Sequence, residues 1–417
     1  FPELQSHLEH GQRWRDVMFP PTAWTPEEAA AQKRALTDTR VAQPALGIAG
    51  LALADLLARL GVRADMMAGH SYGELVALAA AGALPAAALP ALSERRGVRI
   101  LDACIATGDA GTMAAVGGAA ADVARAIADF DGVVVANENA PDQTVISGPT
   151  GAVVAATAHL AAAGMSARTI PVACAFHSPL AHAACAAFAA DLAKIEVAAP
   201  AQVVYSNTTA DAYPADAGAV LTRLAEHIGK PVRFASEIEA MYAAGARIFV
   251  EAGPGRVLTG LVGKVLRGRP HVAVACDRDG EHGVVQLLLA LGELAAHGVE
   301  HVAERRALGR EAAVEGAGAH AHLRGDAGGG DLAGRQVLLD AGADGGREGR
   351  GLRGGRLQAA QALAQHAQQP GIGAQQAEGH RLAGEDEGRV RALVDHRPAK
   401  GSLDPEGVLG RGVGDAR

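Results

Sequence analysis

The stretch DMMAGHSYGELVALAAAG, residues 65–82, decides how this chain folds. Asp65–Ala68 reads as a short strand, Gly69-His70-Ser71-Tyr72-Gly73 as a tight turn, and Glu74–Ala81 as a helix stopped by Gly82. Glycines on both sides of a serine permit a strained strand-to-helix turn. Such a turn lifts the hydroxyl off the sheet edge and aims helix N-terminal amides at a developing oxyanion. The pentapeptide alone would also arise by accident in a chain so rich in Ala and Gly. Its strand–turn–helix setting favours a nucleophile at Ser71.

Outward from this turn, strands and helices alternate as in an α/β protein. Val41–Leu60 has a helical period and opens on Gln43-Pro44, Pro being tolerated in a first turn. Residues 112–172 read strand, helix, strand, strand, helix, strand: Met113–Val116, Ala121–Phe130, Val133–Ala136, Thr144–Ser147, Val153–Ala163 and Ala167–Val172. That order predicts a ferredoxin-like unit inserted into a larger domain. The larger domain, begun in 1–111, resumes over 173–304 with strands at Val203–Ser206, Arg247–Glu251 and Val272–Cys276 and helices at Ala219–Ile228 and Val257–Leu266.

Residues 305–417 differ in kind. They hold 25 of the 53 Gly and no Phe, Tyr, Trp, Met, Cys, Thr or Asn. Such a tail buries too little apolar surface to offset chain entropy, so disorder is expected; a GC-rich gene read out of frame would give the same bias. The chain opens at Phe1 without a Met, as a fragment would.

Composition narrows the function classes. A formal charge of −8 argues against non-specific nucleic-acid binding, which needs a basic face. Cys104, Cys174, Cys185 and Cys276 form no CxxC pair and no zinc spacing, which fits a reduced, cytoplasmic protein without structural metal. The longest apolar stretch, 41–60, carries Gln43, Asp55 and Arg59 and is too polar to span a bilayer.

A nucleophilic serine needs a base. Among 16 His, His177 stands out in Cys174-Ala175-Phe176-His177-Ser178-Pro179, between a strand and a helix, where Ser178 and Pro179 suit N-cap and first-turn positions. Arg96 is the more informative residue. Leu89, Leu92 and Ile100 share one face of the helix predicted over Leu89–Ile105, and Arg96 lies within that stripe, with Arg95 and Arg99 to its solvent side. An inward guanidinium must find an anion: either a core carboxylate, or a substrate carboxylate gripped by the planar fork.

Ser71 in GHSYGE, Arg96 in ERRGVRI, NENAPDQTVISGP (137–149), CAFHSPL (174–180), PVRF (231–234) and EAGPGRVLTGL (251–261) occur in the order found in malonyl-CoA:acyl-carrier-protein transacylases. Over roughly residues 1–300 the chain resembles these enzymes and the acyltransferase domains of polyketide and polyunsaturated-fatty-acid synthases. The resemblance implies an α/β-hydrolase-like large subdomain with a parallel sheet and the inserted ferredoxin-like subdomain. It makes Ser71 the acylated nucleophile, His177 its base and Arg96 the ligand of the malonyl carboxylate. Asn139 would look toward the site or stabilise a turn, and His70 would touch the acyl group or make a structural hydrogen bond. Tyr72 would lend its backbone N–H to the oxyanion. His227 would orient His177 through a main-chain carbonyl. Phe176, before the base, is similar to the residue of malonyl-selective domains and would fill the space an α-methyl needs, although Cys174 departs from the usual head of that tetrapeptide.

The substrates implied are a coenzyme A thioester and a phosphopantetheinylated acyl carrier protein within a larger synthase, with no metal or redox cofactor, no nucleic acid and no membrane. The family's opening strand and GQGSQ-type loop, source of a second oxyanion donor, have no counterpart here. Losing one such donor costs about a hundred- to thousandfold in turnover, so a weakened enzyme is expected. The rival readings are a serine hydrolase or thioesterase, for which Asp131 and Asp142 are the available acids, and an inactive remnant. A dinucleotide site at Gly253-Pro254-Gly255 lacks the full glycine fingerprint.

Overall fold

The computed structural model describes residues 12–299 and 335–339. Helices α1 (Gln12–Met18), α2 (Pro26–Thr37) and α3 (Thr39–Arg59) lead to strand β1 (Met66–Gly69), followed by α4 (Gly73–Ala80) and α5 (Leu89–Ile105). Next come β2 (Thr112–Gly117), α6 (Ala120–Ala126), β3 (Val134–Ala140), β4 (Gln143–Gly148), α7 (Thr150–Ala162) and β5 (Ser166–Ile170). The chain continues through α8 (His182–Leu192), β6 (Val203–Ser206), β7 (Asp211–Ala212), α9 (Ala217–Glu226) and α10 (Phe234–Ala243). It then forms β8 (Ile248–Glu251), α11 (Val257–Val265), β9 (Val272–Ala275), α12 (Gly283–Ala296) and β10 (Arg335–Leu339).

Local chemistry explains where several helices begin. Thr25 and Glu28 close a reciprocal capping box ahead of α2, while Asp38 accepts from the Arg40 N–H and Asp216 from the Ala219 N–H. Because Asp38 caps it, α3 starts at Thr39 rather than Val41, so Pro44 lies inside the helix and not in its first turn. By length and apolarity α3 is the one helix among the described residues that could cross a membrane; ten of its residues are buried within the fold.

Six strands form the larger sheet in the order β7-β6-β1-β10-β8-β9, parallel except for β7. Two apolar cores line it: one around Leu75, Leu78, Phe188 and Leu291, the other around Phe234, Phe249, Leu258 and Val262. Strands covered on both faces read as continuous apolar runs, as Ile248-Phe249-Val250 does. Within the tail, expected to be mostly disordered, residues 335–339 form β10, which pairs with β1 on one side and β8 on the other. The rest of 305–417 lies outside the described residues.

The second sheet, β3-β4-β2-β5, is antiparallel throughout, and with α6 and α7 it has ferredoxin-like order. Its period of two is clean. Ala114, Val116 and Ile146 face the helices with Val153 and Leu160, whereas Met113 and Val145 face the other way, toward Phe176. Several boundaries differ from the sequence reading, those of β3 and α6 the most. Strand β3 runs on to Ala140 through two register shifts, and α6 ends at Ala126. The extension matters: Val232 N–H donates to Ala136 O and Glu138 N–H to Val232 O, both at 2.8 Å, which stitches the small sheet to the loop before α10.

Candidate active site

The strand-to-helix turn has the predicted form. Gly69 ends β1, and a Cβ there would overlap the Gly73 carbonyl, so only glycine permits the close return of the chain. Ser71 sits at φ 50° and His177 at φ 55°; Ala210 is the third and last non-glycine with positive φ among the described residues. A left-handed non-glycine costs about 1–3 kcal/mol and persists where surrounding structure over-determines it. Here two of the three are the residues singled out for nucleophile and base.

They meet. The Ser71 hydroxyl lies 2.6 Å from His177 Nε2, and His177 Nδ1–H donates to the Lys230 carbonyl at 2.9 Å. That carbonyl fixes the tautomer with Nε2 free to accept. It also corrects the role given to His227: the carbonyl that His177 Nδ1–H meets is that of Lys230, three residues on. The buried His227 ring itself packs 5.3 Å from the His177 ring, with Nε2 3.6 Å from the Glu74 carboxylate. Burial, reinforced by the positive charge of Arg96, pushes His177 down to about 3, so it stays a neutral acceptor at neutral pH. Among the described residues no acid completes a triad. Asp131 is exposed, and Asp142 pairs with Lys264 at 3.2 Å.

Arg96 is 2% exposed, flanked on α5 by buried Leu89, Leu92 and Ile100 as the periodicity predicts. No carboxylate comes within ion-pair distance of it among the described residues. Its one hydrogen bond runs from Nη1 to Gln43 Oε1 on α3, at 3.0 Å, and the Tyr72 ring lies 5.9 Å away. Burial lowers its pKa to about 10, which leaves it a cation at neutral pH. Among the described residues, then, no core carboxylate pairs with Arg96. Arg95 and Arg99 keep 51% and 38% of their side chains exposed, as the sequence reading has it, while they also reach buried Asp191 on α8 at 3.9 and 2.8 Å.

The remaining candidates take definite places. His70 Nε2–H donates to Asn139 Oδ1 at 2.7 Å, so β3 of the small sheet is tied to the turn, and Asn139 stabilises no turn of its own. The Tyr72 hydroxyl donates to Ser93 Oγ at 2.6 Å, which props its ring beside Arg96. Its backbone N–H, at the start of α4, has no protein acceptor among the described residues. Phe176 is half-buried and touches both the large core and the outer cluster of the small sheet, in the seam between them. The Gly253–Gly255 loop holds no anion site, because Glu251 already accepts from the Leu258 and Thr259 N–H groups at the start of α11.

Sequence reasoning missed Gln43, Lys230 and Asn207. A polar residue on the buried stripe of α3 was a readable signal for Gln43. Asn207 follows β6 at the strand-end edge that carries Ser71, where open α/β sheets place their sites.

Among the described residues, then, a serine on a glycine-flanked elbow meets an imidazole held by a carbonyl, and a buried arginine has no carboxylate within ion-pair distance. The chain belongs to the acyl transferase domain family, whose profile matches residues 13–301. It is 36% identical over 265 residues to a phenolphthiocerol synthesis type I polyketide synthase of Mycobacterium marinum, covering 63% of this chain but 12% of that protein. The chain thus spans little more than a tenth of that large synthase. It is also 36% identical to the malonyl CoA-acyl carrier protein transacylase of Bacillus subtilis, over 58% of this chain and 77% of the relative. Among solved structures, the acyltransferase domain from the second module of the salinomycin polyketide synthase superposes with a TM-score of 0.65 at 30% identity, covering 75% of this chain and 70% of that one.

Proposed function

We propose that this protein moves a malonyl-type acyl group from coenzyme A, through an ester on Ser71, to the pantetheine thiol of an acyl carrier protein in fatty-acid or polyketide synthesis. The observation that carries this reading is a buried Arg96 with no carboxylate within ion-pair distance among the described residues, 5.9 Å from the ring of Tyr72, the neighbour of Ser71, whose hydroxyl touches His177. A malonyl carboxylate satisfies that cation, whereas an acetyl group leaves it unpaired. The name of the Bacillus relative gives this donor and this acceptor, and that of the mycobacterial relative gives polyketide synthesis.

The cycle is ping-pong. His177 Nε2 takes the Ser71 proton as Oγ attacks the thioester carbonyl; the C–S bond breaks and the imidazolium returns the proton to the departing coenzyme A thiolate. The carrier's thiol then gives its proton to His177, sulfur attacks the ester, and Ser71 leaves and recovers a proton. The Tyr72 N–H faces the oxyanion. Phe176 fills the room of an α-substituent and so favours malonyl. Each step is proton transfer or carbonyl addition, so the scheme calls for no metal or redox cofactor. A hydrolase sharing the elbow is the second reading, although His177 lacks the acid such enzymes use.

Incubation with malonyl-CoA followed by intact-mass analysis tests this. The expected result is a malonyl adduct on Ser71, absent in Ser71→Ala and lost when a phosphopantetheinylated carrier is added. Rapid release of free malonate marks a hydrolase, and no adduct on a folded protein marks an inactive remnant.

A further inference from the structure

A sealed polar cluster lies beneath the elbow. Asn207, wholly buried, uses both ends of its amide on the turn: Oδ1 accepts from the Ser71 N–H at 2.6 Å and Nδ2 donates to the Gly69 carbonyl at 2.7 Å. One side chain thus clamps the backbone on both sides of His70. The clamp is itself held. The Asn207 N–H donates to Glu74 Oε2 at 2.8 Å, and Nδ2 donates to Glu237 Oε2 at 2.7 Å. Glu74 also accepts from Ser206 Oγ at 3.1 Å and from the Tyr213 hydroxyl. Glu74 and Glu237 are both fully buried. Two buried carboxyls around one buried amide is an expensive arrangement for a fold to keep unless it fixes something.

We propose that Asn207 is the positioning residue of the nucleophile: it holds Ser71 in its left-handed conformation and reserves the Ser71 N–H, so the hydroxyl faces His177 and the Tyr72 N–H alone is presented to the oxyanion from this turn. The inference rests on the reading of Ser71 as the acylated nucleophile. It separates this residue from the binding machinery, since Arg96 and Gln43 stand on α5 and α3, and Asn207 follows β6.

The test uses the full chain, with folding checked by circular dichroism. Asn207→Ala lowers kcat for malonyl transfer about 100-fold, the penalty of a roughly 1 Å misplacement, and leaves KM for malonyl-CoA within about twofold. The same variant slows labelling of Ser71 by a small fluorophosphonate, a probe that needs the elbow but not Arg96. Asn207→Asp covers the case in which the alanine variant does not fold. Its carboxyl cannot donate to the Gly69 carbonyl when ionised, and it faces Glu74 from α4 and Glu237 from α10, with Tyr213 after β7 and His227 after α9 against Glu74. Its kcat, relative to the natural protein, therefore recovers as pH falls and that carboxyl takes up a proton. Unchanged kcat in both variants, or a kcat ratio that stays flat with pH while KM rises, overturns the inference. If the natural protein accepts no malonyl group but reacts with the fluorophosphonate in an Asn207-dependent way, the positioning role stands and the malonyl reading falls. If neither reagent labels Ser71, both fall.

Discussion

The chemistry of Arg96 follows from what its surroundings withhold. A guanidinium shut away from water, with one amide oxygen as its hydrogen-bond partner, leaves most of its donors for a ligand. Replacing it by Ala should lower kcat/KM for malonyl-CoA by about two to three orders of magnitude, mostly through KM, and erase the preference over acetyl-CoA. Steady-state kinetics with both thioesters check this; retained selectivity would be fatal to the carboxylate-binding role. His177 carries a second prediction. A free imidazole loses its basic form near pH 6.5, but burial and Arg96 hold this one down to about 3. Its acid limb is displaced in the same direction, so kcat/KM should stay level from pH 7 down to about pH 5. A limb with its midpoint at 6.5 would show that the buried environment is not what controls the base. Both residues were legible in the chain itself: Arg96 interrupts an apolar stripe, and His177 sits at a strand-to-helix junction. The pairings were not: Gln43 was readable as a polar residue on a buried stripe, but that it meets Arg96, and that Lys230 meets His177, joins positions 53 residues apart.

At the level of elements, the site depends on how closely α3 approaches the elbow. Gly47 is the contact point: a Cβ there would overlap the Tyr72 hydroxyl and press on Leu89, the residue whose carbonyl accepts from Ser93. Gly47→Ala should cost about 1–3 kcal/mol by overpacking and raise KM, because the Tyr72 ring beside Arg96 must move. Urea unfolding and the malonyl-CoA KM report the two effects; wild-type values for both would mean that the helix gives way freely. The periodicity of α3 is plain in the sequence, but its start was displaced by two residues because Asp38, a local capper, outweighs the Gln43-Pro44 signal. The end of β3 was missed for another reason. Asn137-Glu138-Asn139 has no strand propensity, and pairing with Val232 from the other subdomain extends the strand through two irregularities.

For the molecule as a whole, the large sheet closes through β10, which places Leu339 beside Gly69 two residues before the nucleophile. Strands β1 and β8 both pair to this segment, so a lesion within it is felt at the elbow. Val337→Pro removes a ladder hydrogen bond from the interior of a parallel sheet, a loss of about 2–3 kcal/mol. The full chain should unfold at clearly lower urea than the parent. An unchanged midpoint would mean that residues 335–339 add nothing to the sheet. The small sheet is held differently, through the Val232 pairing and the His70–Asn139 hydrogen bond, so the seam containing Phe176 is bounded by both subdomains.

What the amino-acid order determined by itself was local: the glycine-flanked elbow, the inward arginine, the ferredoxin-like succession and the histidine ahead of its helix. Each depends on residues a few positions apart, where turn chemistry and periodicity act. Tertiary structure alone decided that Lys230 supplies the carbonyl for His177, that Asn207 clasps the elbow from 136 residues away, and that five residues of a glycine-rich tail enter the sheet. Those outcomes come from hydrogen-bonding groups that must be satisfied once buried, and only the folded chain determines which distant segments satisfy them.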